Sequence, residues 1–312
     1  MDRRKFLEQL AAWSAGIGLA TPSFDVPSVL AAESGPKNKP LLVVAKGKDK
    51  DYAALVEAVL KPLGGIEQFV KKGDRVVVKP NIAWDRTPEQ GANTHPEVVK
   101  ATVRQCLDAG AKRVLVFDRT CNTPPQRPYA RSGIKAAIDA IGDKRAKCIF
   151  PDDKKYVPVK IKNGRSIREF SFYKDVLEPN CDCYINVPVA KHHGATGLTL
   201  GLKNVMGVIG GNRGQIHQVN IHQRIADLNL IVRPALTIID ATRILLRNGP
   251  TGGNLKDVKV LDTLIASADT VATDAYATTL FGMKPSELKS TVAAAALGLG
   301  VMDLEKIEIV KV

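Results

Sequence analysis

The residues best suited to chemistry crowd into one stretch, Pro188-Val-Ala-Lys191-His192-His193-Gly194-Ala-Thr196-Gly197-Leu-Thr199-Leu-Gly201-Leu-Lys203-Asn204-Val-Met-Gly207. Gly194, Gly197 and Gly201 let the backbone approach a ligand closely. A helix starting near Leu198 would turn its free N–H groups toward the same loop, which favours an anion. Lys203 follows Thr199 by four residues, so on such a helix the two would share a face. Gly210-Gly211-Asn212-Arg213-Gly214 then leads to His217 and His222. These two histidines are five apart and do not align on one helix face. His217 therefore pairs better with His193, arriving from a separate element. Lysines and Arg213 suit carboxylate or phosphate, Arg213 by a bidentate fork. Neutral imidazoles suit both metal ligation and proton transfer near neutral pH.

Other polar groups stand where buried runs stop. Arg75-Val-Val-Val-Lys79 reads as a strand ending at Pro80-Asn81, and Arg113-Val-Leu-Val-Phe-Asp118 as another ending at Asp118-Arg119. Tyr184-Ile-Asn-Val-Pro188 and Leu236-Thr-Ile-Ile-Asp240 complete the set. In open α/β sheets, ligands bind beyond the carboxyl ends of the strands. The expectation is that Lys79, Asn81, Asp118, Lys191, His193 and Asp240 lie at one sheet edge.

The elements that must position these residues alternate. A strand at Leu41–Ala45 precedes a helix from about Tyr52 to Leu60. Thr94-His95-Pro96-Glu97 opens a helix, with Thr94 as cap, Pro96 in the first turn and Glu97 closing a capping box. That helix should stop at Gly110. A helix from Ile134 to Ile141 leads to a strand at Lys147–Phe150, and residues 152–172 look like an antiparallel excursion at the sheet's edge. Helices at Asp269–Phe281 and Pro285–Leu297 precede a last strand at Ile307–Val310. Strands alternating with helices imply an α/β fold: a mainly parallel sheet with helices on both faces. Its 33–312 domain is one large unit or two lobes around a cleft.

The first residues carry a different message. Asp2-Arg3-Arg4-Lys5-Phe6-Leu7 opens a charged front, followed by a mildly apolar stretch and small residues at Val29-Leu30-Ala31-Ala32. This is the pattern of a secretory signal, too short to span a membrane. The Arg-Arg-x-Phe-Leu order resembles the twin-arginine export signal. The expectation is a signal over 1–32, recognised by the twin-arginine translocase, and a mature protein outside the bacterial cytoplasmic membrane, in the periplasm. Removing it deletes three basic and three acidic residues, so the formal net charge of +13 is kept. Such an excess of base suggests an anionic partner. No basic run interleaved with aromatics points to nucleic acid, and no later segment is long and apolar enough for a transmembrane helix. Five cysteines follow. Cys106 falls in a helical core pattern; Cys181-Asp182-Cys183 offers two soft ligands without a second pair, and core packing or one disulfide is the alternative.

With these pieces in view, the chain resembles the family catalogued as domain of unknown function 362. The resemblance rests on Lys79-Pro80-Asn81, Thr94-His95-Pro96-Glu97 and Asn186 through His193. It continues through Gly197 to Gly207, His217, Ile239-Asp240-Ala241, Gly249-Pro250-Thr-Gly252, Asp269 to Asp274, and Leu297 to Gly300. It covers nearly all of the 33–312 chain and implies a fold more than an activity. Many relatives append a ferredoxin-like iron–sulfur segment; this chain has no Cys-x-x-Cys-x-x-Cys run. A more distant resemblance links His193-x3-Gly197-x3-Gly201-x-Lys203 and His217 to the nickel-pincer lactate racemases. It implies Lys203 as cofactor tether, His217 as metal ligand, and His193 with His95 as the acid–base pair. Asn204-Val-Met-Gly207 departs from the racemase continuation.

The function expected is a cleft binding a metal or cofactor and a small anionic ligand, in a racemase, epimerase or redox enzyme. Lys79, Asn81, Lys191, Lys203, Asn204 and Arg213 bind; His95 and His193 move protons; His217 holds a metal. Two alternatives stand beside it. One is a non-catalytic periplasmic metal- or cofactor-binding or maturation protein, separated by turnover. The other is an iron–sulfur electron carrier using Cys181 and Cys183.

Overall fold

The computed structural model describes residues 39–47 and 51–312. The export-signal reading of residues 1–32 lies outside the described residues. Twelve strands are described: β1 (Leu41–Lys46), β2 (Arg75–Pro80), β3 (Arg113–Val116), β4 (Ala146–Cys148), β5 (Tyr156–Lys160), β6 (Glu169–Tyr173), β7 (Cys183–Val187), β8 (Val189–His193), β9 (Gly197–Thr199), β10 (Leu236–Leu245), β11 (Val258–Ser267) and β12 (Glu308–Lys311). The main sheet runs β12-β1-β11-β10-β7-β2-β3-β4, with β8 beside β10 and β9 beside β8. The block β10-β7-β2-β3-β4 is parallel throughout, as is β1 with β12. Only β11, antiparallel to both β1 and β10, and β9, antiparallel to β8, run against this grain.

The buried runs explain the parallel block. Val76 and Val78 of β2 pack in one apolar cluster with α1 (Tyr52–Leu60) and α2 (Pro96–Asp108), while Val77 packs in a second on the other face. Strand side chains alternate between faces, so a strand apolar at every position needs cover on both. Each fully buried valine contributes about 1.5–3 kcal/mol relative to exposure. Helices α3 (Gln126–Arg131), α4 (Ile134–Asp139), α5 (Gly201–Asn204), α6 (Ile221–Leu228), α7 (Thr270–Thr279) and α8 (Lys289–Ala296) complete the layers.

Several expectations are corrected. Strand β11 answers to no expected element: its first half is only partly buried and its second fully buried, so no single period runs through it. The 152–172 excursion is an antiparallel pair, β5 with β6, but forms its own two-stranded sheet. Helix α2 does begin at Pro96 and ends before Gly110, whose φ of +86° suits glycine. Its cap is His95, whose Nδ1 accepts from the Glu97 N–H at 3.3 Å. Thr94 is fully buried and instead accepts from the Asn81 N–H and donates to the Val187 carbonyl. No helix starts at Leu198; residues 197–199 form β9, so Thr199 and Lys203 share no helix face.

Candidate functional site

The ends of β2, β3 and β8 meet the segment 199–217 around a cavity of about 420 Å³. Lys79, Asn81, Lys191, His193, Lys203, Asn204, Arg213 and His217 all line it, as do Asp118 and Thr199. Such a volume holds a small ligand. The hairpin β8–β9 explains part of the convergence. Lys191 pairs directly with Thr199 and His193 with Gly197. Period-two alternation therefore turns Lys191, His193 and Thr199 to the cavity and His192 away. His192 accepts from the Gly249 N–H at 3.1 Å and is not a lining residue.

Amide side chains hold the floor rigid. Asn204 Oδ1 accepts from Lys79 Nζ at 2.8 Å and from Asn81 Nδ2 at 3.1 Å. Its Nδ2 donates to Asn186 Oδ1 at 2.9 Å and to the Lys79 carbonyl at 3.2 Å. Lys191 Nζ donates to Asn81 Oδ1 at 3.0 Å and to the Ala92 carbonyl at 2.5 Å. Lys79 also faces Asp118 Oδ1 at 2.9 Å, with both side chains almost wholly buried. The Asp118 Oδ2 accepts from the Ile82 N–H at 2.6 Å. A buried network with its members paired fixes one arrangement.

Lys203 differs from its two neighbours. It is buried, and the partner of its Nζ among the described residues is the thioether of Met206 at 3.4 Å, a weak acceptor. Burial, with the charges of Arg213 and Lys79, holds its ammonium down to about 8. Burial holds Lys191 to about 7, with Lys203 and Lys79 adding to the effect. Burial also lowers Lys79 despite Asp118. His193 is held down to about 3 by burial, then by the charges of Lys203, Lys191 and His217. Its Nδ1 accepts from the Ala195 N–H at 3.2 Å, so the neutral ring carries its proton at Nε2. Three buried ammonium groups face one buried carboxylate, so the cavity is strongly electropositive.

The short helix α5 offers no anion site at its start. The Asp274 carboxylate already accepts from the Gly201 and Leu202 N–H groups, at 2.7 and 3.0 Å. Burial raises Asp274 to about 7. Arg213 lines the cavity, but both its Nη atoms donate at 2.6 Å to the carbonyls of Arg119 and Thr120. Its fork braces a loop and is not free for a bidentate anion contact. His217 is exposed at the mouth, its ring 6.4 Å from that of His193 and at 16° to it. Its Nδ1 stands 3.4 Å from the Arg213 carbonyl. His95 lies outside the cavity lining: it stacks on Tyr52 at 4.1 Å and its N–H donates to Asp240. Asp240 also accepts from the Thr242 N–H and hydroxyl, and likewise lies outside the lining.

Among the described residues no group of three or more His, Cys, Asp and Glu side chains is arranged to hold a metal. The protein offers a pincer metal one exposed imidazole, His217, which by itself makes no metal site. All five cysteines are free. Cys181 and Cys183 are buried, and burial pushes the Cys181 thiol up to about 12 and Cys183 higher than its ordinary value. Such thiols are poor thiolate ligands. Cys121 and Trp84, which also line the cavity, carried no motif. Position was the available signal: Cys121 follows the strand end at Asp118 by three residues.

A protein called Thylakoid-associated protein sll1697, from Synechocystis sp., is 26% identical over 260 residues, covering 79% of this chain and 75% of that protein. A solved protein from Thermotoga maritima superimposes with a TM-score of 0.48 at 13% identity, over 74% of this chain and 59% of that one. The lactate racemase apoprotein from Thermoanaerobacterium thermosaccharolyticum gives a TM-score of 0.46 at 13% identity, over 79% and 57%. The chain thus spans less than two thirds of either solved structure. Residues 76–279 match the family model described as Domain of unknown function (DUF362), and the chain belongs to that family.

Proposed function

We propose that the cavity binds a small anionic ligand and that the protein is an enzyme of racemase or epimerase type acting on it. The observation that carries the binding is the set of three buried lysines around one cavity with a single buried carboxylate among its described lining residues, and the neutral His193 imidazole beside them supports the reaction type. Lys191 spends two donors on Asn81 and Ala92, which leaves its third for a carboxylate or phosphate oxygen. His193 stays neutral and offers its Nε2–H to a ligand oxygen, where it stabilises developing negative charge. A neutral imidazole of lowered pKa is suited to that task. Calorimetric titration with phosphate and with L-lactate tests the binding. Proton NMR of L-lactate in D2O tests exchange at the carbon beside its carboxylate. Binding without exchange reduces the protein to a non-catalytic carrier, and absence of both defeats the reading.

Export is the second part of the proposal. The Arg3-Arg4-Lys5-Phe6-Leu7 order supports a twin-arginine signal and a periplasmic mature protein. No helix among the described residues is long and apolar enough to cross a membrane. The net charge of +13 suits a location beside an anionic membrane surface, in keeping with a relative named as thylakoid-associated. Replacing Arg3 and Arg4 by lysine keeps the charge but loses the guanidinium fork. Export is expected to stop; mature protein still reaching the periplasm overturns this part.

A further inference from the structure

We infer that Lys203 captures a small carbonyl compound bearing an anionic group, as an imine on its Nζ. The inference rests on the anion-binding reading above and names the ligand class within it. Its basis is a difference among three lysines. Lys79 is engaged by Asp118 and Asn204, and Lys191 by Asn81 and the Ala92 carbonyl. Each of those nitrogens has oxygen acceptors that orient it away from nucleophilic work. Lys203 faces a thioether. An amine desolvated among other cations and free of oxygen acceptors is the arrangement that makes lysine a nucleophile near neutral pH.

A second group points the same way. The Thr199 hydroxyl is buried, lines the same cavity, and has no hydrogen-bond partner among the described residues. A buried hydroxyl left without a partner costs about 1–3 kcal/mol, and a ligand oxygen entering the cavity would satisfy it. Thr199 lies directly across the hairpin from Lys191, so one small molecule can meet both. The expected pose sets the anionic group against Lys191 and the carbonyl oxygen against the Thr199 hydroxyl and His193 Nε2–H. The carbonyl carbon then faces Lys203.

The step balances without a further reagent. The neutral amine adds to the carbonyl carbon and forms the C–N bond. Its two protons pass to the carbonyl oxygen, the C–O bond breaks, and that oxygen leaves as water. Protonated at nitrogen by a proton from solvent, the imine draws electrons from the neighbouring carbon and acidifies a C–H there, as at the methyl of pyruvate.

The test is reductive trapping of the full-length protein with glyoxylate, and separately pyruvate, plus cyanoborohydride at pH 8, read by intact mass and peptide mapping. With its ammonium held to about 8, about half of Lys203 is neutral amine there, so it should be labelled roughly tenfold or more faster than a surface lysine. Excess phosphate should slow that labelling by occupying the cavity. Lys203→Arg, checked for folding by circular dichroism, should lose the fast label, and Thr199→Val should slow it. Labelling spread over surface lysines with Lys203 unmodified overturns the imine. If phosphate still binds by calorimetry in that case, the anion-binding reading stands alone.

Discussion

The Lys79 ammonium and the Asp118 carboxylate lie 2.9 Å apart with almost no exposure, at the ends of two adjacent parallel strands. Two charges so buried constrain everything around them. The backbone of Gly207 passes directly over the pair, and a Cβ there would collide with Asp118 Oδ1 and with Lys79 Nζ. This contact, rather than a left-handed turn, is why position 207 is glycine.

Breaking the pair should therefore be costly. Asp118→Asn leaves a buried ammonium uncompensated and is expected to lose about 3–5 kcal/mol of stability, measured by urea unfolding. The double variant Lys79→Met, Asp118→Asn should recover part of that loss. Gly207→Ala should also destabilise, because its methyl would force the two charged side-chain ends out of their paired positions. Equal stability of Asp118→Asn and the parent would show that the charges are not paired in solution.

Helix α5 carries Lys203, and Asp274 holds its first two N–H groups. Asp274→Ala orphans both donors and opens space beneath the helix. A stability loss of about 1–3 kcal/mol is expected, together with weaker phosphate binding, because Lys203 loses its fixed position. Retained affinity at reduced stability would limit Asp274 to the fold.

Anion affinity should fall as pH rises through about 7 and then about 8, where Lys191 and Lys203 lose their charges. The stability of the ligand-free protein should move the other way. Both lysines have native pKa values below the unfolded value of 10.5, so the unfolded chain binds more protons between about 7 and 10.5. Stability contributed by these sites therefore rises with pH across that window. Lys191→Met should flatten the rise, as read from urea midpoints at pH 7 and pH 9.5.

His95 should behave as a cap and a packing residue. Removing its side chain takes away the Nδ1 acceptor for Glu97 and the stack on Tyr52. His95→Ala is expected to cost about 1 kcal/mol, as lost caps do, and to leave phosphate affinity within error. A large loss of binding would bring His95 back into the site.

What the sequence determined by itself was the frame and most of the address. Val76, Val77 and Val78 form an unbroken apolar run, which demanded cover on both faces and so a parallel, helix-flanked sheet. Polar residues at the ends of such runs, Lys79, Asn81 and Asp118, marked one sheet edge, and the glycines before Lys203 marked the segment that closes over it. The sequence could not distinguish among the groups it had gathered. Lys79, Lys191 and Lys203 are the same residue type, and only their partners separate an ion pair, an amide-held donor and an amine facing a thioether. Arg213 reads as a free fork until two backbone carbonyls, distant in sequence, are seen to occupy it. His95 and His193 are alike in sequence, yet strand register turns one into a cavity while helix capping holds the other outside it. Short-range pattern reports burial and period. Which buried donor meets which acceptor depends on contacts about a hundred residues apart, such as Asn204 with Lys79, and only the tertiary fold decides those.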